Sequence, residues 1–433
     1  MGRKHIYDKD KAYDILKVYV DWCTRQGYTK VEVHGRENVP QDGAVIIAPN
    51  HCNTLMDALI ILQAFKDESV FGARADIFNY KFIADIMYFL RILPMVRQRD
   101  GLRNVLKNYE TQDIILDTLD HNVRFCIYPE GRHRPAKSLL PLGKGIFRAA
   151  LAAIGRFGNE RPVYIVPTGL DYGDFFRYRS TALVTFGKPI NVTEFIKTLD
   201  VESEAQMMEP LKKELQSRMS GLFTYIKDGE EYAGKWALTK ILAREDARQG
   251  SLKERMLHNR HVIGQIEEAC IKEPEKMEAL IAEAAGFDRD RRKAGLSIWS
   301  FGIRNNWKRA AGETITALLG LPYFIFAAVA SLPMWLTFEL LRKKLKDRAF
   351  HNTAGFGIKL VMGPLMFLLW TILAFCLTPW PVAVLLSLLI IPSYGFFYDY
   401  TEFIRVYVSN LRLLGNRKMA GRFEKIKNEF KNI

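Results

Sequence analysis

A histidine and a carboxylate lie close together near the start of the chain, in the stretch Asn50-His51-Cys52-Asn53-Thr54-Leu55-Met56-Asp57. The apolar run that follows predicts a helix, and Asn53 or Thr54 can cap it. We therefore expect His51 in the loop before the helix and Asp57 in an early turn. A carboxylate bonded to one imidazole nitrogen fixes the tautomer and makes the other nitrogen a stronger base. The pair is suited to taking a proton from an alcohol.

Two other interpretations of this stretch stay open on these residues alone. His51 can cap the helix while Asp57 answers the positive end of the helix dipole. Cys52 can be a thiol nucleophile beside His51, although neighbours in a sequence usually point apart. The cysteines form no Cys-x-x-Cys pair, so they indicate no metal site and fit a reducing compartment. They are Cys23, Cys52, Cys126, Cys270 and Cys376.

Short strands around this stretch would hold it in place. Pro40-Gln41-Asp42-Gly43 is a turn between the first two strands, and the later two end at Pro129 and Pro167. Chemistry at strand ends and in the adjoining loops is the usual layout of an open α/β sheet. The predicted strands are residues 31–34, 44–48, 124–128 and 163–166.

Four ordered blocks resemble the motifs of the glycerolipid acyltransferases, the superfamily that acylates glycerol-3-phosphate and 1-acylglycerol-3-phosphate. His51 and Asp57 are separated by five residues, where the family usually has four. The third block reads Tyr-Pro-Glu-Gly-Arg-His, so Arg132 and His133 replace the usual threonine and arginine. The resemblance covers roughly residues 30–195. The blocks are residues 50–57, 92–100, 125–134 and 163–170, and residues 139–145 also look like family sequence.

The resemblance implies a direct acyl transfer. His51 would be the general base for the acceptor hydroxyl, and Asp57 would orient its ring and stabilise the imidazolium. The hydroxyl would attack the thioester of acyl-CoA or of acyl carrier protein, which serves as co-substrate. No acyl-enzyme, metal or resident cofactor is expected.

The second block supplies a candidate anchor for a phosphate. Arg97 stands where the family carries an acceptor-binding arginine, and Arg99 is its nearby competitor. A planar guanidinium can hold phosphate through two parallel hydrogen bonds. Either arginine can equally be a surface salt-bridge residue.

The third block matches the acceptor-binding motif of the family. We expect Glu130 to bond to the acceptor hydroxyls or to orient Arg97, and Gly131 to allow close backbone approach. Arg132 and Lys144 would add positive charge. In the fourth block, proline would shape the wall of the acyl pocket.

The charge of the chain agrees with a membrane-surface enzyme. The 433 residues carry a formal net charge of +14, with a pI of about 9.4. That balance suits anionic headgroups, a phosphorylated acceptor or nucleic acid. No zinc-finger, RNP or basic-zipper pattern supports nucleic acid, so the expected partners are the acyl donor, a phosphorylated glycerol or lysolipid, and membrane lipids.

Two uncharged runs indicate the membrane. Residues 360–398 are about twice as long as the ~20 residues that one span needs, and Thr378-Pro379-Trp380-Pro381 offers a turn. Residues 314–338 are also long enough to span, but basic residues follow both runs and favour the cytoplasmic side. With a cytoplasmic catalytic region at the cell membrane, this first run should enter and return, or lie in the interface. A buried soluble hairpin is the alternative.

The predicted fold class is α/β: a mixed-sheet acyltransferase domain with helices on its faces, then a helical region and a membrane helical hairpin. The N-terminal helix is amphipathic and either packs on the core or lies in the bilayer interface. The break at Lys272-Glu273-Pro274-Glu275 divides two later helices. The predicted segments are residues 1–30, 31–195, 196–312, 313–400 and a basic tail, 401–433.

The sequence thus predicts an O-acyltransferase of phospholipid synthesis acting on glycerol-3-phosphate or 1-acylglycerol-3-phosphate. Another lyso-lipid, such as an amino-acid lipid, is the alternative acceptor, because Arg132-His133 stands where acceptor chemistry is read. A non-catalytic lipid-binding protein on the same fold is the other class.

Overall fold

The chain forms two compact units. A computed structural model describes residues 5–95, 105–201, 203–244, 250–303 and 305–433, with the backbone alone for residues 105–109. The first unit comprises Met1–Phe176 with Ser180–Phe223, and the second comprises Arg177–Arg179 with Thr224–Ile433.

A mixed sheet organises the first unit. Its order is β1-β7-β6-β2-β5-β3-β4, with β8 paired to β6. The central strand β2 is buried along its whole length and pairs in parallel with β5 and β6, whereas β6 and β7 are antiparallel. The strands are β1 (Tyr28–His34), β2 (Ala44–Pro49), β3 (Ser69–Arg74), β4 (Ile92–Met95), β5 (Arg124–Cys126), β6 (Val163–Tyr172), β7 (Ser180–Phe186) and β8 (Ile190–Asn191).

The carboxyl ends of β5 and β6 differ from the prediction by two residues or more. β5 stops at Cys126, two residues early, and β6 runs past Pro167 to Tyr172. The Pro167 carbonyl accepts a hydrogen bond from the Gly187 N–H, and the residues after it pair with β7. The extension carries β6 beyond the fourth sequence block.

The helices of the first unit cover this sheet. The first begins at Asp10, whose carboxylate accepts the N–H groups of Ala12 and Tyr13. It packs on the second helix and on β1 with Tyr13 and Cys23 buried, so this face packs on the core. The helices are α1 (Lys11–Gln26), α2 (Leu55–Ala64), α3 (Lys81–Phe89), α4 (Val105–Asp120), α5 (Gly145–Phe157), α6 (Val192–Lys197) and α7 (Glu204–Ser220).

The second unit is helical in its described residues. Its core joins Phe287, Phe301 and Phe423, which bring α10 and α14 together, and the predicted break falls between α9 and α10. By length and composition, α11, α12 and α13 can each cross a membrane. The helices are α8 (Tyr232–Leu242), α9 (Leu252–Lys272), α10 (Pro274–Lys293), α11 (Trp307–Lys344), α12 (Phe350–Leu377), α13 (Trp380–Leu414) and α14 (Arg417–Lys431).

The long helix α11 reverses direction. The predicted turn joins α12 and α13 into an antiparallel hairpin. The first half of α11 runs antiparallel to α13, and its second half runs antiparallel to α12, so the two halves run in opposite directions. Pro322 and Pro333 flank the reversal, and proline is a usual cause of a sharp bend. The contacts that show it pair Glu313 with Asn410, Tyr323 with Leu389, Ala330 with Trp370 and Phe338 with Gly355.

A helix that doubles back agrees with one of the two expected arrangements, in which the first uncharged run enters and returns; its place in or on a membrane stays a prediction. The run is nevertheless helical throughout, with its proline-flanked bend in place of a loop.

Three residues between β6 and β7 belong to the second unit: Arg177, Tyr178 and Arg179. We call these three residues the clasp. Arg179 bonds both oxygens of Asp399, with its Nε at 3.0 Å, and Arg177 lies 2.7 Å from a Glu402 oxygen. Lys359 Nζ donates to the Tyr178 hydroxyl at 2.6 Å. The clasp thus pairs with Asp399 and Glu402 of α13 and with Lys359 of α12.

Candidate active site

His51 and Asp57 meet at the carboxyl end of β2. His51 follows the strand, Asp57 lies in the first turn of α2, and the distance from Nδ1 to Oδ2 is 2.8 Å. The Asp57 side chain is fully buried, whereas the imidazole is 18% exposed. With Nδ1–H donated to the carboxylate, Nε2 is the nitrogen left to act as a base. The structure brings together the two residues that the sequence singled out.

The Asp57 carboxylate is held on both oxygens. Oδ2 also accepts the backbone N–H groups of Cys52 and Asn53, at 2.8 and 2.7 Å. Oδ1 accepts the hydroxyl of Tyr172 at 2.8 Å. Hydrogen bonds to a carboxylate are the stronger kind, so these donors hold the Asp57 side chain in one orientation.

A strained turn lies between the two residues. Thr54 occupies the N-cap position of α2 with φ 48° and ψ −125°, and its side chain makes no capping bond. Such backbone geometry costs about 1–3 kcal/mol outside glycine and clusters at functional sites. The side-chain cap predicted from Asn53 or Thr54 is not formed. The Asp57 carboxylate accepts the N–H groups of the preceding loop instead.

Glu130 supports the histidine loop from the end of β5. Its Oε1 accepts the His51 N–H at 2.8 Å, and its Oε2 accepts the Leu140 N–H at 2.7 Å. Burial raises the pKa of Glu130 to about 7, although both backbone donors oppose that rise. With both oxygens engaged by backbone, Glu130 braces two loops. Its bond to the acceptor or to Arg97 stays a prediction.

Two rings enclose the imidazole. Tyr128 stacks on His51, with ring centroids 4.1 Å apart, and His133 lies edge-on at 5.6 Å. His133 is one of the two residues that depart from the family motif. Burial raises the pKa of the Cys52 thiol well above its usual range, and the Asp57 charge adds to the effect. A thiol kept protonated in this way is a poor nucleophile.

Three of the other predicted acceptor-binding residues, Gly131, Arg132 and Lys144, lie among the described residues. Gly131 has φ 64° and open space where a Cβ would stand, which agrees with a close backbone approach. Arg132 and Lys144 are exposed, Lys144 at the start of α5. Arg97, with its competitor Arg99, lies outside the described residues. Within the described part of the chain, no group of three or more His, Cys, Asp or Glu side chains is arranged for a metal ion.

Sequence reasoning missed three residues that join β6 to the site. Asn50 exchanges two hydrogen bonds with the backbone of Leu170, and Lys137 Nζ donates to the Tyr172 carbonyl at 2.6 Å and to the Asp171 carboxylate. Tyr172 lies 115 residues after Asp57 and two residues beyond the fourth block. A tyrosine after an apolar strand gives no short-range signal of such a contact.

Known proteins resemble part of this chain in sequence. Residues 30–171 match the family model described as Acyltransferase. Glycerol-3-phosphate O-acyltransferase 1 of Saccharomyces cerevisiae is 29% identical over 109 residues, which are 24% of this chain and 14% of that protein. Glycerol-3-phosphate O-acyltransferase 2 of the same yeast is 28% identical over 127 residues, 29% of this chain and 17% of that protein. The similarity thus spans less than a fifth of either yeast protein.

A solved structure also resembles the chain. It is the 1-acyl-sn-glycerophosphate acyltransferase PlsC of Thermotoga maritima, at 19% identity and a TM-score of 0.33, covering 48% of this chain and 82% of that one. A TM-score of this size does not establish a shared fold. The family model covers the region that holds His51, Asp57 and Glu130. Residues 30–171 thus carry an acyltransferase domain, and the chain is similar in sequence to two glycerol-3-phosphate O-acyltransferases of yeast.

Proposed function

We propose that this chain is a membrane-associated O-acyltransferase that moves a fatty acyl group from acyl-CoA or acyl carrier protein to a hydroxyl of glycerol-3-phosphate or 1-acylglycerol-3-phosphate. The observation that carries the proposal is the 2.8 Å bond between His51 Nδ1 and the buried Asp57 carboxylate. This bond leaves Nε2, on a partly exposed ring, as the base.

The reaction follows from that arrangement. His51 Nε2 takes the proton of the acceptor hydroxyl while the oxygen attacks the thioester carbonyl carbon. Asp57 stabilises the imidazolium that forms. Collapse of the tetrahedral intermediate breaks the carbon–sulfur bond, and the imidazolium returns its proton to the thiolate. The products are an ester and a free thiol, and a positioned base of this kind contributes ~10²–10⁴-fold.

The acceptor is proposed from charge and from the relatives. A net charge of +14 and Arg97 suit a phosphate, and the two yeast relatives carry the name glycerol-3-phosphate O-acyltransferase. A different lyso-lipid remains the second candidate because His133, which stands in place of the usual arginine, lies beside His51. The closed His51–Asp57 pair argues against a purely lipid-binding protein.

The membrane arrangement is part of the proposal. The three apolar helices would anchor the chain in the cell membrane. The first unit and the basic tail would face the cytoplasm, because basic segments beside spans favour that side.

An assay of the purified full chain in phospholipid vesicles tests the proposal. Acyl-CoA and acyl carrier protein thioesters are each offered with glycerol-3-phosphate, 1-acylglycerol-3-phosphate and lyso-amino-acid lipids. We expect ester product with a phosphorylated glycerol acceptor, and His51→Ala should lose at least ~10²-fold in turnover while it still folds and inserts. Absence of product from every pair, or equal turnover in His51→Ala, would overturn the proposal; product with a lyso-amino-acid lipid alone would replace the acceptor.

A further inference from the structure

We propose that Tyr172 is a positioning residue that sets the orientation and the effective charge of the Asp57 carboxylate. The inference rests on the proposed acyl transfer, because it assigns Tyr172 a role in the His51–Asp57 pair. Its basis is the 2.8 Å hydrogen bond from the Tyr172 hydroxyl to Asp57 Oδ1, between two side chains that are both almost completely buried.

The two carboxylate oxygens have different partners. Oδ2 receives three N–H donors, from His51, Cys52 and Asn53, all within 2.8 Å. Oδ1 receives the Tyr172 hydroxyl, with the Cys52 sulfur at the longer distance of 3.8 Å. Rotation of an aspartate about its last bond is broad and weakly restrained. The hydroxyl therefore holds the oxygen that the loop does not hold.

Tyr172 is itself fixed from several sides. Lys137 Nζ donates to its carbonyl, and the rings of Tyr28 and Phe175 lie 6.0 and 6.1 Å from its ring. Burial raises the pKa of Tyr172 well above its usual range, and the nearby Asp57 charge raises it further. The hydroxyl consequently remains a donor at every pH at which the enzyme would work.

A donated hydrogen bond also draws charge from the carboxylate. Without it, more negative charge faces the imidazole, which then holds its proton up to a higher pH. The acid limb of the kcat/KM profile reports protonation of the free enzyme's base, so it should move to higher pH. The substitution leaves in place the other groups that contact His51, namely Glu130, Tyr128 and His133, and the Cys52 thiol beside Asp57.

The test compares two matched substitutions in the full chain. Tyr172→Phe removes the hydroxyl that bonds Asp57, and we expect kcat to fall about tenfold to a hundredfold, as for a hydrogen bond to a charged group. The acid limb of the kcat/KM profile of this variant should move to higher pH by roughly one unit. Tyr28→Phe removes a hydroxyl from the neighbouring ring, which is not among the donors to Asp57, and should leave the limb unmoved.

A third variant separates positioning from packing. Replacing Tyr172 by 3-fluorotyrosine makes the hydroxyl a stronger donor and should move the acid limb to lower pH. Opposite shifts from the two variants support the inference, since a loss of packing would not change sign. An unmoved limb in both, or shifts of the same sign, would overturn it.

A readout without substrate keeps this inference distinct from the proposed function. The downfield proton resonance of His51 Nδ1–H, assigned by its loss in His51→Ala, should move in Tyr172→Phe and stay in place in Tyr28→Phe. A moved resonance in a protein that acylates no acceptor would refute the proposed function while supporting the contact. An active enzyme with an unmoved resonance and limb would refute the role of Tyr172 alone.

Discussion

Asp57→Asn tests the electrostatic half of the proposed mechanism. The amide can turn its oxygen towards the three N–H donors at Oδ2 and its NH₂ towards the Tyr172 hydroxyl, which can accept as well as donate. The three N–H donors then keep their acceptor and only the Tyr172 O–H loses its own, so the fold should survive. What is lost is the negative charge 2.8 Å from the imidazole.

The size of the loss follows from that distance. Two unit charges 2.8 Å apart attract by about 6 kcal/mol at an effective dielectric constant of about 20. If roughly half of the imidazolium charge has developed in the transition state, about 3 kcal/mol is lost, which lowers kcat by ~10². The unfolding temperature should fall only modestly, because the three N–H donors stay paired and a single buried donor, the Tyr172 O–H, loses its acceptor.

The assay measures kcat in four proteins: wild type, Asp57→Asn, His51→Ala and the double variant. Because Asp57 acts through His51, the asparagine should cost nothing further once the histidine is gone. An equal loss in both backgrounds would mean that Asp57 acts by another route. Wild-type turnover in Asp57→Asn would refute the charge argument itself.

Three further outcomes are expected. Arg97→Ala should raise the KM for the acceptor about tenfold to a hundredfold and leave that for the acyl donor unchanged; equal effects on both would remove Arg97 from the phosphate site. Glu130→Gln should lower kcat, because its NH₂ must face one of the two backbone donors, and should flatten the acid limb. In the wild type, Glu130 becomes protonated as the pH falls through about 7, which weakens its hydrogen bonds to the two backbone N–H groups and steepens the acid limb of the kcat/KM profile. Equal slopes of the acid limb in the wild type and in Glu130→Gln would contradict this role. A single cysteine at position 380 should label from the outer side of sealed membranes and one at Asn432 from the inner side; the reverse pattern would refute the orientation.

The local part of the site could be predicted from the sequence. His51 and Asp57 are six residues apart, so a loop and one helical turn suffice to join them. Tyr172 could not be predicted, because its place depends on how β6 runs beside β2. The direction of the Glu130 side chain was equally hidden, since the motif is the same whether the carboxylate faces a ligand or two backbone N–H groups.

Some elements of the fold could also be predicted from the sequence and others could not. β2 and the start of β6 are continuous apolar runs and were predicted. β4 was not, since Pro94 sits inside it; the proline is tolerated because β4 is the last strand in the sheet order. The clasp was not predicted, because it joins residues too distant in the sequence for any local pattern to reveal.

The clasp also has a consequence for biosynthesis. Arg179 and its partner Asp399 are 220 residues apart. At 5–20 residues per second, the ribosome needs about 10–45 s to make the second after the first. Throughout that interval the residues of β6 and β7 are complete, but the three residues between them still lack their carboxylate and lysine partners. The nascent chain therefore exposes an Arg-Tyr-Arg loop until α13 has emerged, which makes that loop a natural place for a chaperone or a protease to act.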